Sequence, residues 1–302
     1  TIDQYAYCKI EPYHEWLFNS VDFDKFERYS HLPDGYVNTD LKLLINTYQF
    51  LTRGLERNPV KITTYVEAPP GSGLGSSSAL VVALISAISE YYGLALTEYE
   101  KAEFALDIER DICDFPGGKQ DQYSAVFGGF NYIEFLQDGR TIVNPLRLNY
   151  KVQNMIELNT VLYYVGKPRK DARVIEATSN NLIKNEKTLE VTHKIKQSCI
   201  DFKRCLLTGD VEGISNLMND YWKLKLETSS QVGSPELLDT YEYAMQNGAT
   251  AAKISGAGGG GHMVLFTEFE KRHRLISALK KLPTGRIVPF KFVKHGVDTW
   301  HQ

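Results

Sequence analysis

Two glycine-rich segments carry the strongest chemical signal in this chain. The first is Pro69-Pro70-Gly71-Ser72-Gly73-Leu74-Gly75-Ser76-Ser77-Ser78-Ala79, where a strand-like stretch runs into a Gly/Ser loop and then into an apolar helix. Glycines let the backbone fold tightly and approach a ligand closely. A helix start offers unpaired N–H groups and the positive end of a dipole, which suits phosphate. The hydroxyls of Ser76, Ser77 and Ser78 add donors and one metal ligand. The P-loop pattern GxxxxGK[ST] occurs nowhere in the sequence. A capped helix after a flexible turn is the plain alternative, but three glycines, four serines and two prolines in eleven residues are more than a cap needs.

The second segment is Lys253-Ile254-Ser255-Gly256-Ala257-Gly258-Gly259-Gly260-Gly261-His262. Gly256, Gly258 and Gly261 match GxGxxG in form, but a strand is expected after them, and a dinucleotide fingerprint needs a helix there. Five glycines in six residues suggest backbone laid against phosphates or against another loop; a tight β-hairpin is the alternative. A third stretch, Glu109 to Gln122, ends a helix and turns through Pro116-Gly117-Gly118. Asp121 follows at the start of a new element, where a fixed carboxylate could act as a base or orient a hydroxyl. Glu109 projects from a helix end and could ligate Mg2+. A cap or a solvated charge is the simpler role for either one alone. Lys119 could neutralise the same site or be a solvated charge. Lys167, Arg169, Lys170 and Arg173 crowd a strand-to-helix turn, a seat for a substrate phosphate or a solvated basic loop.

The elements that must position these residues show in the periodicity. Residues 5–10 and 61–68 read as strands, and apolar spacing predicts a helix over 41–55. Helices follow at 77–92, with Gly93 as C-cap, and at 98–111. Residues 127–135 and 141–143 read as strands about an Asp138-Gly139 turn. Beyond them come a strand at 159–165, long amphipathic helices at 174–208, 211–227 and 235–247, and a strand at 262–266. A helix at 268–282 and a strand at 286–294 close the chain. The fold class is α+β, in two domains with a seam near residue 155: residues 1–155 and 156–302.

Composition narrows the classes. The 302 residues are 43% hydrophobic and 24% charged, which is globular rather than disordered. With 34 Lys+Arg against 37 Asp+Glu the net charge is -3, so no general field holds nucleic acid or an anionic membrane. The longest dense apolar run, Ala79 to Ile88, is too short to cross a bilayer. Four scattered cysteines form neither a disulfide framework nor a zinc site. Free thiols in a reducing cytoplasm are expected. The first residue is Thr1, not Met, and residues 2–10 already look extended, so the natural start is expected upstream.

PPGSGLGSSSA and KISGAGGGGH, in that order and about 180 residues apart, resemble the second and third motifs of the GHMP small-molecule kinases. Members of that superfamily pass the γ-phosphoryl of ATP to a small alcohol or phosphate acceptor. Gly117-Gly118-Lys119-Gln120-Asp121-Gln122-Tyr123, followed by Phe127-Gly128-Gly129-Phe130, resembles the bacterial sugar-1-kinase branch. Heptose 7-phosphate kinases come first there, with fucose kinase-like proteins close by. The resemblance implies a two-domain GHMP fold with the active site in the cleft between domains. It implies ATP and Mg2+ as cofactors, a sugar phosphate as substrate, and a monomer or homodimer. Pro70 to Ser78 would wrap the ATP phosphates, with Gly256, Ala257, Gly258, Gly259 and Gly260 in support. Ser77 and Glu109 would hold the metal. Asp121 would be the catalytic aspartate, twelve positions after Glu109, about one more than in mevalonate kinase. Lys119 would assist it, and Gly118, Gln122, Arg169 and Arg173 would contact the sugar phosphate. The family's first motif, a Pro-x-Arg strand with a glycine-rich turn and an aspartate, is absent from this sequence. The expected reaction is phosphorylation of the anomeric hydroxyl of a heptose 7-phosphate to the 1,7-bisphosphate. The alternatives are a kinase for an unphosphorylated, fucose-like or diphosphomevalonate-type substrate, or a non-catalytic sugar- or nucleotide-binding member of the fold.

Overall fold

A computed structural model describes residues 1–69, 71–166 and 171–301, with backbone alone at 171 and 172. The chain divides into two compact units. One comprises Thr1–Pro69, Gly75–Val143 and Val293–Gln302, the other Pro70–Leu74 and Asn144–Phe292. The main boundary therefore falls at Val143/Asn144 rather than near residue 155.

In the first unit, β1 (Ala6–Pro12), β2 (Trp16–Ser20), β3 (Lys25–Tyr29) and β4 (Val60–Val66) form one sheet in the order β1-β4-β2-β3. β4 runs antiparallel to β1 and parallel to β2. Helix α1 (Lys42–Leu51) and helix α2 (Ser76–Tyr92) pack with this sheet. Phe18, Ile45, Tyr48, Ile62, Val81, Leu84, Ile85 and Ile88 are fully buried in the shared core. Because α2 is apolar on nearly every side, it is a central helix, and its first turn is held by the whole core behind it. Helix α3 (Glu98–Asp107) opens on a capping box, Thr97 with Glu100. It passes into a π turn at Ile108–Ile112. Helix α4 (Gln120–Phe127) precedes a hairpin of β5 (Asn131–Phe135) and β6 (Thr141–Pro145). The last residues return here, with Gly129 N–H donating to Val293 O at 3.1 Å and Val297 N–H to Ala125 O at 3.0 Å.

The second unit holds helix α5 (Tyr150–Asn159), strand β7 (Thr160–Tyr164), helix α6 (Asp171–Lys184) and helix α7 (Glu186–Thr208). Helix α8 (Val211–Thr228), helix α9 (Pro235–Gln246), strand β8 (Ala249–Ile254) and strand β9 (His262–Thr267) follow. Helix α10 (Phe269–Leu279) and strand β10 (Arg286–Val288) complete it. The sheet is antiparallel in the order β10-β7-β9-β8. Period-two alternation sorts its two faces. Met263 and Leu265 join one cluster with Trp222 and Leu275, while Val264 and Phe266 join another with Ile214 and Met218.

Several elements differ from the sequence expectation for physical reasons. β2 and β3 form a hairpin in which β3 is the sheet edge, and its exposed, charged residues hide the alternation. The helix expected over 174–208 breaks at Asn185, whose side chain caps α7 by accepting from Lys187 N–H at 2.9 Å. The stretch expected to be a strand from 127 starts only at Asn131, since α4 runs to Phe127 and two glycines of positive φ intervene. α5 was unforeseen, and it carries residue 155 into the second unit. The final strand stops at Val288. Among the described residues no helix is long and apolar enough to cross a membrane.

Candidate active site

In the first unit the site is built around the start of α2. Gly75 is the N-cap residue at φ +69, no side chain caps the helix, and no acidic residue sits in its first turn. Its leading N–H groups are thus left to an anion. Two of the three serines turn toward Glu109. Ser77 Oγ donates to Oε1 and Ser78 Oγ to Oε2, each at 2.7 Å, and Gln122 Nε2 donates to Oε2 at 2.5 Å. Glu109 is 2% exposed, and a buried carboxylate needs such partners. Oε1 accepts from Ser77 alone, which leaves it a lone pair. The π turn delivers Glu109, and Cys113 N–H closes it on Ile108 O at 2.9 Å.

Asp121 is the second residue of α4 and lies half-buried against Gly75. A Cβ on Gly75 would stand 3.1 Å from both Cβ and Cγ of Asp121, so glycine leaves the space the carboxylate fills. Burial pushes the Asp121 carboxyl above the ordinary aspartate range, and the charge of Glu109 adds to the rise. A bond from Gln120 Nε2 at 3.4 Å and the charge of Arg110 oppose it. A carboxyl lifted this way is a better proton acceptor.

Arg110 is a residue that sequence reasoning missed. Its Nη1 donates to Phe115 O at 3.0 Å and its Nη2 to Gly118 O at 2.8 Å, while Nη1 stands 4.0 Å from Glu109 Oε1. The guanidinium therefore pins the turn that leads into α4 and Asp121. Two expected substrate contacts change character. Gln122 is fully buried and its Nε2 donates to Glu109, so it helps to position that carboxylate. Gly118 is exposed, but its carbonyl is taken by Arg110. Lys119 is exposed immediately before α4.

In the second unit the two glycine-rich segments lie backbone to backbone. Ser72 O accepts from His262 N at 2.9 Å and from His262 Nδ1 at 2.8 Å. A Cβ on Gly73 would meet Ser255 O at 2.7 Å, and one on Gly256 would meet Gly73 Cα at 3.0 Å. Gly258, Gly259 and Gly260 are buried, Ala257 is half-buried and Gly256 is exposed. His262 is buried against the Tyr164 ring, centroids 5.0 Å apart, and burial holds its imidazole below the usual histidine range. It is neutral, with Nδ1 protonated to donate to the carbonyl. Leu74 is half-buried, and so is Ser76 at the start of α2. Pro70 and Arg169 lie outside the described residues, as do Lys167 and Lys170. Arg173 is exposed in the first turn of α6.

A family model described as GHMP kinases N terminal domain matches residues 42–129, and one described as GHMP kinases C terminal matches residues 202–284. The D-glycero-alpha-D-manno-heptose 7-phosphate kinase of Campylobacter jejuni is 38% identical, over 99% of this chain and 89% of its own. A crystal structure of a D-glycero-D-manno-heptose 1-phosphate kinase from Bacteroides thetaiotaomicron matches with a TM-score of 0.81 at 34% identity, over 100% of this chain and 89% of that one. The mevalonate kinase of Methanococcus jannaschii shares the fold, with a TM-score of 0.74 at 19% identity over 97% and 90% of the two chains. This chain belongs to the GHMP kinase family. It is an ATP-dependent phosphotransferase.

Proposed function

We propose that the protein transfers the γ-phosphoryl of ATP to the anomeric hydroxyl of a heptose 7-phosphate, giving the 1,7-bisphosphate. The observation that carries this is the Asp121 carboxylate, raised in basicity and set against Gly75 at the uncapped start of α2. A base beside a phosphate seat is what an alcohol acceptor needs, since phosphoryl transfer depends on positioning and charge neutralisation. The acceptor follows the name of the Campylobacter jejuni relative. The Bacteroides thetaiotaomicron neighbour's name puts a phosphate at position 1 instead. In this reading residues 71–78 hold the ATP phosphates, with Gly256 to Gly260 packed in support. Asp121 takes or orients the proton of the sugar hydroxyl, while Lys119 adds positive charge.

A panel of heptose 7-phosphate, heptose 1-phosphate and free heptose, each with ATP, tests the assignment by 31P NMR of the products. A new anomeric phosphate resonance from the 7-phosphate is expected, with a clear preference over the free sugar. Equal use of the free sugar would favour a galactokinase-like reading, since galactokinases are also relatives at 24–31% identity.

The residues present fit Mg2+. Ser77 Oγ and Glu109 Oε1 stand 2.7 Å apart, close to the roughly 3 Å between neighbouring ligands of an octahedral Mg2+, and both are hard oxygen donors. The ion would neutralise phosphate charge there. Ser77→Ala and Glu109→Gln should each raise the Mg2+ concentration giving half-maximal rate more than they raise the KM for sugar. Unchanged Mg2+ curves in both variants would mean the pair is only a hydrogen-bonded strut.

A further inference from the structure

The second unit holds two lysines that the site described above does not use. Lys225 lies on α8, one helical turn beyond Tyr221, and Lys253 lies on β8, three residues before Gly256. α8 is fastened to β8 by Ser215 Oγ donating to Thr250 Oγ1 at 3.1 Å and Asn219 Nδ2 donating to Thr250 O at 2.8 Å. The two lysines are therefore set by rigid elements. Lys253 Nζ stands 5.0 Å over the Tyr221 ring. The stem of Lys225 passes Gly258, with its Cε 3.9 Å from where a Cβ on that glycine would be. Both lysines are half-buried. No described carboxylate lies within ion-pair distance of either one.

Half-buried like charges with no counter-ion are costly, and the cost shows in the groups themselves. Burial lowers the affinity of both ammonium groups for their protons, and Lys253 is lowered further by the charge of Lys225. Four exposed lysines of this unit have carboxylate partners: Lys187 with Glu227, Lys194 with Glu190, Lys223 with Asp220 and Lys271 with Glu268. Both lysines border Tyr221, Lys253 over its ring and Lys225 one turn along α8, with Lys225 also at Gly258; two ammonium groups without a carboxylate partner suit a doubly charged phosphoryl group.

We propose that Lys225 and Lys253 form a phosphate-binding subsite beside Gly258. The anion is a phosphoryl group of one of the two substrates, the sugar phosphate or the nucleotide. Its identity rests on the sugar-phosphate kinase reading, but its existence does not. A direct probe is acetylation of the whole protein with and without pyrophosphate, followed residue by residue by mass spectrometry. Pyrophosphate should slow acetylation of Lys225 and Lys253 several-fold and leave exposed Lys223 unchanged. The kinetic arm compares Lys225→Gln and Lys253→Gln with Lys225→Arg and Lys253→Arg, whose retained charge guards against a mere loss of packing. The Gln variants should raise one KM by about tenfold or more, with the Arg variants near wild type. A rise confined to the sugar phosphate places its spectator phosphate here, and a rise confined to ATP places the nucleotide here. Unprotected lysines, or KM values unmoved for both substrates, would overturn the subsite. A wild type inactive on heptose 7-phosphate would sink the proposed acceptor alone, since pyrophosphate protection is read without turnover.

Discussion

Asp121→Asn should lower kcat by about 10²–10⁴ while leaving the KM for ATP nearly unchanged and the melting temperature unchanged or higher. The first part follows from the role of the carboxylate, because asparagine keeps the shape and an Oδ1 acceptor for Gln120 Nε2 but accepts no proton. The second part follows from the direction of its pKa. Burial raises the folded-state value above the unfolded one. Such a group favours the fold only while protonated, below its unfolded pKa, and that contribution is lost as pH rises through the folded pKa. At pH 7–8 the ionised carboxylate therefore costs stability, and the neutral amide does not. Activity falling while stability holds is the signature of a group placed for chemistry. Steady-state kinetics with thermal melts at pH 8 decide the matter. A variant within twofold of wild-type kcat would remove Asp121 from the reaction. A melt lower by many degrees would make it a structural carboxylate. In the wild type, the acid limb of kcat should also lie above the pH at which an ordinary aspartate titrates.

Much of this site is legible in the sequence because its parts are local. α2 announces itself by a dense apolar run and by Gly75 and Gly93 at its ends, both in left-handed conformation. The glycine-rich segments show because their composition has no other ready use. Arg110 and His262 were not legible, because each works on carbonyls that no pattern marks. Arg110 reaches Phe115 and Gly118 across a turn, and His262 reaches Ser72 from 190 residues away. Gln122 is a related case. The resemblance implies a substrate contact, while a helix turns neighbouring residues to different sides, and the structure adds a bond from its Nε2 to Glu109 that no pattern marks. The boundary between units was missed for a similar reason. α5 is short, with Ile156 its one fully buried residue, so its packing on β7 leaves little trace in hydrophobic spacing.

The backbone contact between the two glycine-rich segments should be the least tolerant feature of the second unit, and Gly261→Ala tests it. Gly261 has φ +85, and a Cβ there would stand 2.2 Å from Ser72 O and 2.4 Å from Ser72 C. The left-handed conformation alone costs an alanine roughly 1–2 kcal/mol. The clash adds to this, because its partner is main chain and cannot swing aside as a side-chain end would. Relieving it must move the same carbonyl that accepts from His262 N and Nδ1, so both bonds weaken together. Gly35→Ala is the matched control, with φ +84 and nothing within 4 Å of the added methyl. It should show the conformational cost and no kinetic effect. Gly261→Ala should lose clearly more stability than Gly35→Ala. Its KM for ATP should rise about tenfold or more, since an ångström of misplacement near reacting groups can cost about 10²-fold. If the two variants melt alike and Gly261→Ala binds ATP normally, the contact is incidental packing. If they melt alike but ATP binding still fails, the segment touches the nucleotide without depending on its register against Ser72. Only the combination of extra instability and lost ATP affinity ties the backbone fit of residues 72–73 against 255–261 to the phosphate seat.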